Sequence, residues 1–215
     1  MKFTSHIYMP LLRKGSNKPD YQNIKKNVLD KESKFYYPSL VKKYYDINNN
    51  FILEELQHLY YGYVFNKKYN PYNHPDVELA LDKILKKPTH NKNDIERIIE
   101  FSIVIMKYNP FDYNALSSLM YAYRENDDKQ NHKLVQRQLA NIWVTIINSG
   151  DGTKPESAFH VLYVSHEYLL LDLFDLKYGG KQQLIGDCDY LTTIDKVSDI
   201  KGVYFNIKAA LNHSK

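Results

Sequence analysis

Residues 93–112 read NDIERIIEFSIVIMKYNPFD and combine a long apolar stripe with the signals that end it. Apolar side chains recur every three or four residues, which is the spacing of one face of an α-helix. Asn93, with Glu96 three residues later, predicts a capping box at the start of this helix. The run Asn109-Pro110-Phe111-Asp112 predicts its end and the cap of the following helix.

Similar helical patterns extend in both directions, over residues 20–148. Short polar turns separate the predicted helices, so consecutive helices must pack antiparallel. Gly62 lies inside one of them, where glycine costs about 1 kcal/mol relative to alanine, so we expect a close neighbour at this position. The helix–turn–helix run around Asn109 is similar to a tetratricopeptide hairpin, but no second copy follows at a period of about 34 residues. We therefore predict an antiparallel helical bundle with tetratricopeptide-like hairpins.

The pattern changes at residues 149–153, Ser-Gly-Asp-Gly-Thr. Short β-rich runs follow, and their alternation and turn residues favour a small antiparallel sheet. The predicted strands are 159–164, 182–185, 189–194 and 203–207, with a short helix capped by Ser165 after the first. The fold class is therefore α+β. We divide the chain into a flexible N-terminal segment (1–19), a helical region (20–148) and a small β-rich region packed on it (149–215).

The composition limits the partners that this chain is expected to have. Hydrophobic residues make up 43% of the 215 residues and the net charge is +4, which is typical of a globular protein. Nearly all the basic residues are lysines, and the arginines are Arg13, Arg97, Arg124 and Arg137. Nucleic-acid surfaces rely on arginine for bidentate contacts, and here the lysines alternate with acids. We expect no nucleic-acid partner.

The cysteine count and the length of the apolar runs indicate the cellular compartment that we expect for this protein. A single cysteine, Cys188, excludes an internal disulfide. No apolar run approaches the ~18 residues of a transmembrane helix. Residues 1–19 lack the continuous apolar stretch and cleavage site of a signal peptide. We expect either a cytoplasmic protein or a chain that begins downstream of its export signal.

Several stretches together resemble a bacterial domain family of unknown function, numbered 4919 and found mainly in Bacteroidetes. The resemblance covers residues ~19–211, in the size range of a single domain. The stretches that carry it are Pro19-Asp20-Tyr21, Tyr36-Tyr37-Pro38-Ser39-Leu40, Leu59-Tyr60-Tyr61-Gly62-Tyr63, Pro71-Tyr72, Gly150-Asp151-Gly152-Thr153, Pro155-Glu156-Ser157-Ala158-Phe159-His160-Val161, Val164-Ser165-His166-Glu167-Tyr168 and Tyr204-Phe205-Asn206. The resemblance implies a protein of the cell envelope or periplasm, and it implies no activity.

One polar group is a candidate for catalysis. His160, His166 and Glu167 lie close in sequence, and His166 and Glu167 permit a zinc site with the distant Cys188. They permit a hydrolase or metal-dependent enzyme, although their spacing matches no established zinc signature. The alternative interpretation is local: Ser165 caps a helix, Glu167 complements its dipole and His166 bonds nearby. We favour the local interpretation and expect no metal and no cofactor.

Twenty tyrosines are the other source of candidate sites. Tyrosine has an apolar ring and a polar hydroxyl, so it serves in cores and in binding surfaces alike. Aromatic stripes at helical spacing usually belong to the core, which leaves a minority for recognition. We predict that Tyr61, Phe65, Tyr69 and Tyr72 bind a protein, peptide or carbohydrate partner. The sequence thus favours a non-enzymatic binding or scaffold module.

Overall fold

A computed structural model of the chain describes residues 17–72, 75–194 and 200–213. The α-helices are α1 (Tyr21–Leu29), α2 (Tyr37–Tyr44), α3 (Leu53–Gly62), α4 (Val77–Leu85), α5 (Lys92–Tyr108), α6 (Tyr113–Glu125), α7 (Lys129–Ile147), α8 (Ser165–Leu173) and α9 (Lys208–His213). The strands are β1 (Phe159–His160), β2 (Lys177–Ile185), β3 (Cys188–Ile194) and β4 (Gly202–Asn206). The predicted α+β class, with helices first and a small sheet second, is confirmed. Most of the predicted flexible segment, residues 1–16, lies outside the described residues.

The chain forms two compact units. One comprises Lys25–Ile142 and is called the helical unit here. The other comprises Met1–Ile24 together with Trp143–Lys215 and is called the sheet unit. The boundaries between units therefore fall inside α1 and α7, whereas the sequence pattern changes at residues 149–153.

Helices α5, α6 and α7 follow one another through short turns in the helical unit. Asp112 caps α6 as predicted, because its carboxylate accepts a hydrogen bond from the N–H of Ala115 at 2.8 Å. The predicted box at the start of α5 is wrong by two residues. Asn91 is the cap, and its side chain accepts from the N–H of Asp94 at 3.0 Å while Asp94 accepts from the N–H of Asn91. Aspartate takes the place of the usual glutamate here. The likeness to a tetratricopeptide repeat stays a prediction.

Gly62 ends α3 and has the close neighbour that the sequence predicts. A Cβ built on it would lie 2.7 Å from Cγ1 of Val28 and 3.5 Å from the ring of Tyr37. We expect Gly62→Ala to destabilise the helical unit by about 1–3 kcal/mol, because overpacking outweighs the better helix propensity of alanine. Urea unfolding of the single and double variants measures this effect. Val28→Ala in the Gly62→Ala background should restore part of the loss, and strict additivity of the two changes would contradict the close contact.

The described residues of the sheet unit form four strands in the order β1-β4-β3-β2. Strands β2, β3 and β4 pair antiparallel as predicted, whereas β1 pairs parallel to β4. The sheet is therefore mixed. A parallel pair needs a long crossover, and the chain between β1 and β4 supplies it. The predicted strand 159–164 shortens to Phe159–His160, because the chain turns into α8 immediately after Tyr163 and Val164.

Helix α8 begins at Ser165 without the predicted serine cap. The residue at the cap position is Val164, and it makes no side-chain capping bond. The helix starts instead from backbone bonds, in which the N–H groups of His166 and Glu167 donate to the carbonyls of Tyr163 and Val164.

None of the helices in the described residues is both long enough and apolar enough to cross a membrane.

Candidate functional site

The candidate catalytic residues lie in the sheet unit, on two different elements. His166 and Glu167 are in the first turn of α8, and both side chains are completely buried. His160 lies on the short strand β1 and is partly exposed. Within the described parts of the chain, no group of three His, Cys, Asp or Glu side chains is arranged to hold a metal ion.

Glu167 faces the carboxyl group of Asp189 on β3. Asp189 is also buried, with 5% of its surface exposed. Burial, the nearby Asp189 charge and a hydrogen bond between the two carboxyl groups raise the pKa of Glu167 to about 9. Burial also raises the pKa of Asp189. Two buried carboxyl groups in contact cannot both ionise cheaply. Glu167 therefore stays protonated at neutral pH and donates a hydrogen bond to Asp189.

The surroundings of this pair are polar on one side and aromatic on the other. Gln182 on β2 donates from Nε2 to Oδ2 of Asp189 at 2.6 Å. The ring of Tyr168, the next residue on α8, stands edge-on to the ring of Tyr178 with 5.5 Å between centroids. Neither carboxylate oxygen of Glu167 receives a bond from an N–H or hydroxyl group of the described residues. Within the described residues, neither carboxyl group of the pair has a cation at ion-pair distance.

The sheet register explains why Asp189 points inward. On β3, Asp189 and Leu191 are two residues apart and share one face. Their partners on β4 are the buried residues Phe205 and Val203. An acid at an inward register position is the sequence signal that would have identified it as the partner of Glu167. That signal requires the pairing of β3 with β4 to be known first.

The two histidines each have an aromatic neighbour. The ring of His166 stands edge-on to Tyr163, with centroids 5.4 Å apart. The ring of His160 lies 6.1 Å from that of Tyr21. Burial and the positive charge of Lys18 lower the pKa of His160 to about 4, which keeps its ring neutral. Each histidine thus packs against an aromatic ring.

Cys188 precedes Asp189 and is buried. Burial and the negative charge of Asp187 raise the pKa of its thiol. Reactive cysteines need a lowered pKa, so this thiol is not suited to nucleophilic attack.

The four aromatic residues predicted to bind a partner divide into two groups. Tyr61 is completely buried and Tyr69 is 4% exposed. The structure leaves these two no surface to offer a partner, because their rings pack edge-on against Tyr60 and Tyr63 respectively. Tyr72 is 52% exposed, and Phe65 is partly exposed. A binding role for Tyr72 and Phe65 stays a prediction.

A groove of about 310 Å³ lies within the helical unit. Helices α5, α6 and α7 form it together with Tyr45, just after α2. Its apolar lining consists of Ile103, Met106, Leu119, Leu134 and Val135, joined by the rings of Tyr45 and Tyr123. The polar lining residues are Lys107, Asn131 and Gln138. We call this site the α5–α7 groove.

The α5–α7 groove is open along its rim. Tyr45 is 46% exposed and Ile103 is 40% exposed, while the floor residue Leu119 is buried. Its volume lies at the lower end of the range of about 300–1,000 Å³ found for ligand sites. The sequence held one signal for it: the run Phe101–Met106 is more apolar than a single buried helix face requires. Which of those side chains stay uncovered depended on packing between distant elements.

Three comparisons with known proteins complete this description. Residues 22–215 match the family model described as "Domain of unknown function (DUF4919)". No curated protein and no solved structure matches the chain.

Proposed function

The chain belongs to the DUF4919 family of domains of unknown function, and we propose that it is a non-enzymatic binding module that holds a peptide segment of a partner protein in the α5–α7 groove. The observation that carries this proposal is an open, apolar groove of about 310 Å³. Recognition grooves that take apolar anchor side chains are built in this way, between packed helices.

The chemistry of the lining favours a peptide over a carbohydrate. Five aliphatic or thioether side chains line the groove, and they offer a sugar no hydrogen bonds. The polar amides are partly engaged, because Nε2 of Gln138 donates to the carbonyl of Tyr44 at 3.3 Å and Nδ2 of Asn131 donates to Asp128 at 2.8 Å. Apolar side chains of a partner are therefore the natural occupants.

Ile103→Gln tests this proposal at the rim of the groove. We expect it to weaken binding about tenfold, because about 1.4 kcal/mol of apolar burial is lost. The probe is a random 12-residue peptide library displayed on phage and selected on the protein, followed by titration of the enriched peptide as a synthetic compound. Glutamine is a good helix former, so the fold should be kept.

Leu79→Gln is the matched control. Leu79 is 68% exposed on α4, in the same unit but outside the groove. The control should bind the selected peptide as the unchanged protein does. Failure to enrich any peptide, or equal binding by the Ile103 variant, would contradict the proposal.

A second candidate function is acid–base or metal-dependent catalysis through His160, His166 and Glu167. The observation in its favour is the raised pKa of Glu167, since perturbed pKa values cluster at functional sites. Against it, Glu167 is completely buried, so a substrate has no access to it without an opening of the sheet unit. Stoichiometric zinc in the purified protein, lost on His166→Ala, would favour this candidate over the binding module.

A further inference from the structure

The charge near the α5–α7 groove differs between its two ends. The inference drawn from this difference rests on the binding function proposed above. Lys107 lines the groove in the last turn of α5. Gln138 on α7 also lines it and donates to the carbonyl of Tyr44, and Tyr44 in turn donates from its hydroxyl to the carbonyl of Pro110 at 3.3 Å. These bonds join the residue before Tyr45 to the turn after α5 and to the middle of α7.

Arg137 carries a second positive charge on α7, although it does not line the groove. The guanidinium of Arg137, next to Gln138, donates to the backbone carbonyls of Asp46, Ile47 and Asn49 at 2.5–2.7 Å. Within the described ranges, neither Arg137 nor Lys107 has a carboxylate at ion-pair distance. In the described part of the chain, both cations therefore lack an ion-pair partner.

The opposite end of the groove lies next to a negatively charged side chain. Asn131 lines it seven residues before Gln138, which corresponds to about 10 Å along α7. Its backbone N–H and its Nδ2 both donate to the carboxylate of Asp128, at 3.1 and 2.8 Å. Among the residues that the structure describes, no acid lines the groove itself, so a carboxylate on a ligand is attracted to the Lys107 end.

We propose that the partner segment held by the α5–α7 groove is an acidic peptide, whose apolar side chains fill the groove while an aspartate or glutamate pairs with Lys107. The volume of about 310 Å³ corresponds to about ten waters at ~30 Å³ each, which is enough for a few apolar side chains. The span of about 10 Å between Asn131 and Gln138 equals about three extended residues or two helical turns.

The open rim favours a peptide over an anionic amphiphile of similar charge. A small ligand is typically 70–90% buried in its site, whereas Tyr45 and Ile103 leave this groove open to solvent. A peptide can keep its backbone and remaining side chains in water while its anchors are buried. Dodecanoate is therefore the competing probe, with the same apolar and anionic chemistry.

Lys107→Gln tests the proposed ion pair through a double-mutant cycle with the phage-selected peptide. Changing the peptide's acid to its amide should weaken binding to the unchanged protein about two- to fivefold, the range of an exposed ion pair. The same change should have no effect on binding to the Lys107 variant. Lys83→Gln, on the exposed face of α4, is the matched control and should behave as the unchanged protein.

The possible results distinguish the acidic-peptide proposal from the binding function on which it rests. Peptides that bind through Ile103, carry no acid and ignore the Lys107 change would overturn the acidic partner and leave the binding function standing. Dodecanoate that binds more tightly than the peptide, and is lost with Ile103→Gln, would overturn the peptide assignment. Absence of any selected peptide would overturn both.

Discussion

Replacing Glu167 with glutamine should remove a large part of the pH dependence of stability in the sheet unit. The folded protein holds the Glu167 proton up to a pKa of about 9, whereas the ordinary value is 4.5. A group with a raised pKa contributes most stability below its unfolded pKa, and that contribution is lost as the pH rises through the folded value. We expect a loss of about 1.4 kcal/mol for each pH unit between about 4.5 and 9.

Glutamine imitates the protonated acid, because its amide donates a hydrogen bond to Asp189 and never ionises. The variant should therefore become more stable relative to the unchanged protein as the pH increases from 5 to 9. Urea unfolding at several pH values, followed by the fluorescence of the single tryptophan, Trp143, measures this difference in the unit that contains Glu167. The control is Glu156→Gln, at an exposed glutamate of the same unit. A pH-independent difference between Glu167→Gln and the unchanged protein would mean that the folded protein does not raise the pKa of Glu167.

Asp189→Asn separates the two causes of the raised pKa. Burial is the larger cause and the Asp189 charge is the smaller one. Removing the charge should lower the pKa of Glu167 without returning it to the ordinary value. The pH-dependent loss of stability should then level off at a lower pH than in the unchanged protein.

The helices were predictable because their signals are local. The apolar stripe of α5 repeats every three or four residues, and Asn109 to Asp112 carry the residues that end one helix and cap the next. The cap at Asn91 was missed because two asparagines, Asn91 and Asn93, both stand three residues before an acid. Local pattern alone cannot decide between them, and helix boundaries commonly shift by such a margin.

The candidate site was predictable only in part, because it depends on long-range pairing. The sequence identified Glu167, but its partner Asp189 lies on a strand whose inward face is set by β4. The burial of Tyr61 and Tyr69 also could not be predicted from the sequence. Their types fit a surface or a core equally well, and packing against Tyr60 and Tyr63 places them in the core. The groove combines residues of four elements, so it follows from the packing and not from any one stretch.

The length of the first strand also could not be predicted from the local sequence. The run from Phe159 to Val164 is apolar except for His160, and a short apolar run does not distinguish a strand from a buried turn. Only Phe159 and His160 pair with β4, in parallel. The following residues Val161, Leu162 and Tyr163 are buried while the chain turns into α8. Parallel pairing depends on the crossover through β2 and β3, which no local signal records.

Replacing Gly150 with alanine should cause the largest loss of stability among single methyl additions in the sheet unit. A Cβ at this position would lie 2.3 Å from the carbonyl oxygen of Ser157 and 2.4 Å from that of Ala158. Both atoms belong to the backbone, so no side-chain rotation relieves the clash. The carbonyl of Ser157 also accepts hydrogen bonds from the N–H groups of Asp151 and Gly152, each at 2.9 Å. We expect a cost of about 4 kcal/mol or more, because the loop must open to admit the methyl group.

Gly186→Ala is the comparison that isolates this clash from the general cost of losing a glycine. Gly186 has a positive φ of 62°, and a Cβ there meets nothing within 4 Å. Its replacement should cost only the left-handed backbone penalty of about 1–2 kcal/mol. Urea unfolding followed by Trp143 fluorescence compares the two variants in the same unit. Because the Gly150 methyl group meets fixed carbonyl oxygens while the Gly186 methyl group meets solvent, the first variant must be the less stable. A Gly150 variant as stable as the Gly186 variant would show that the loop can move away from the added methyl group.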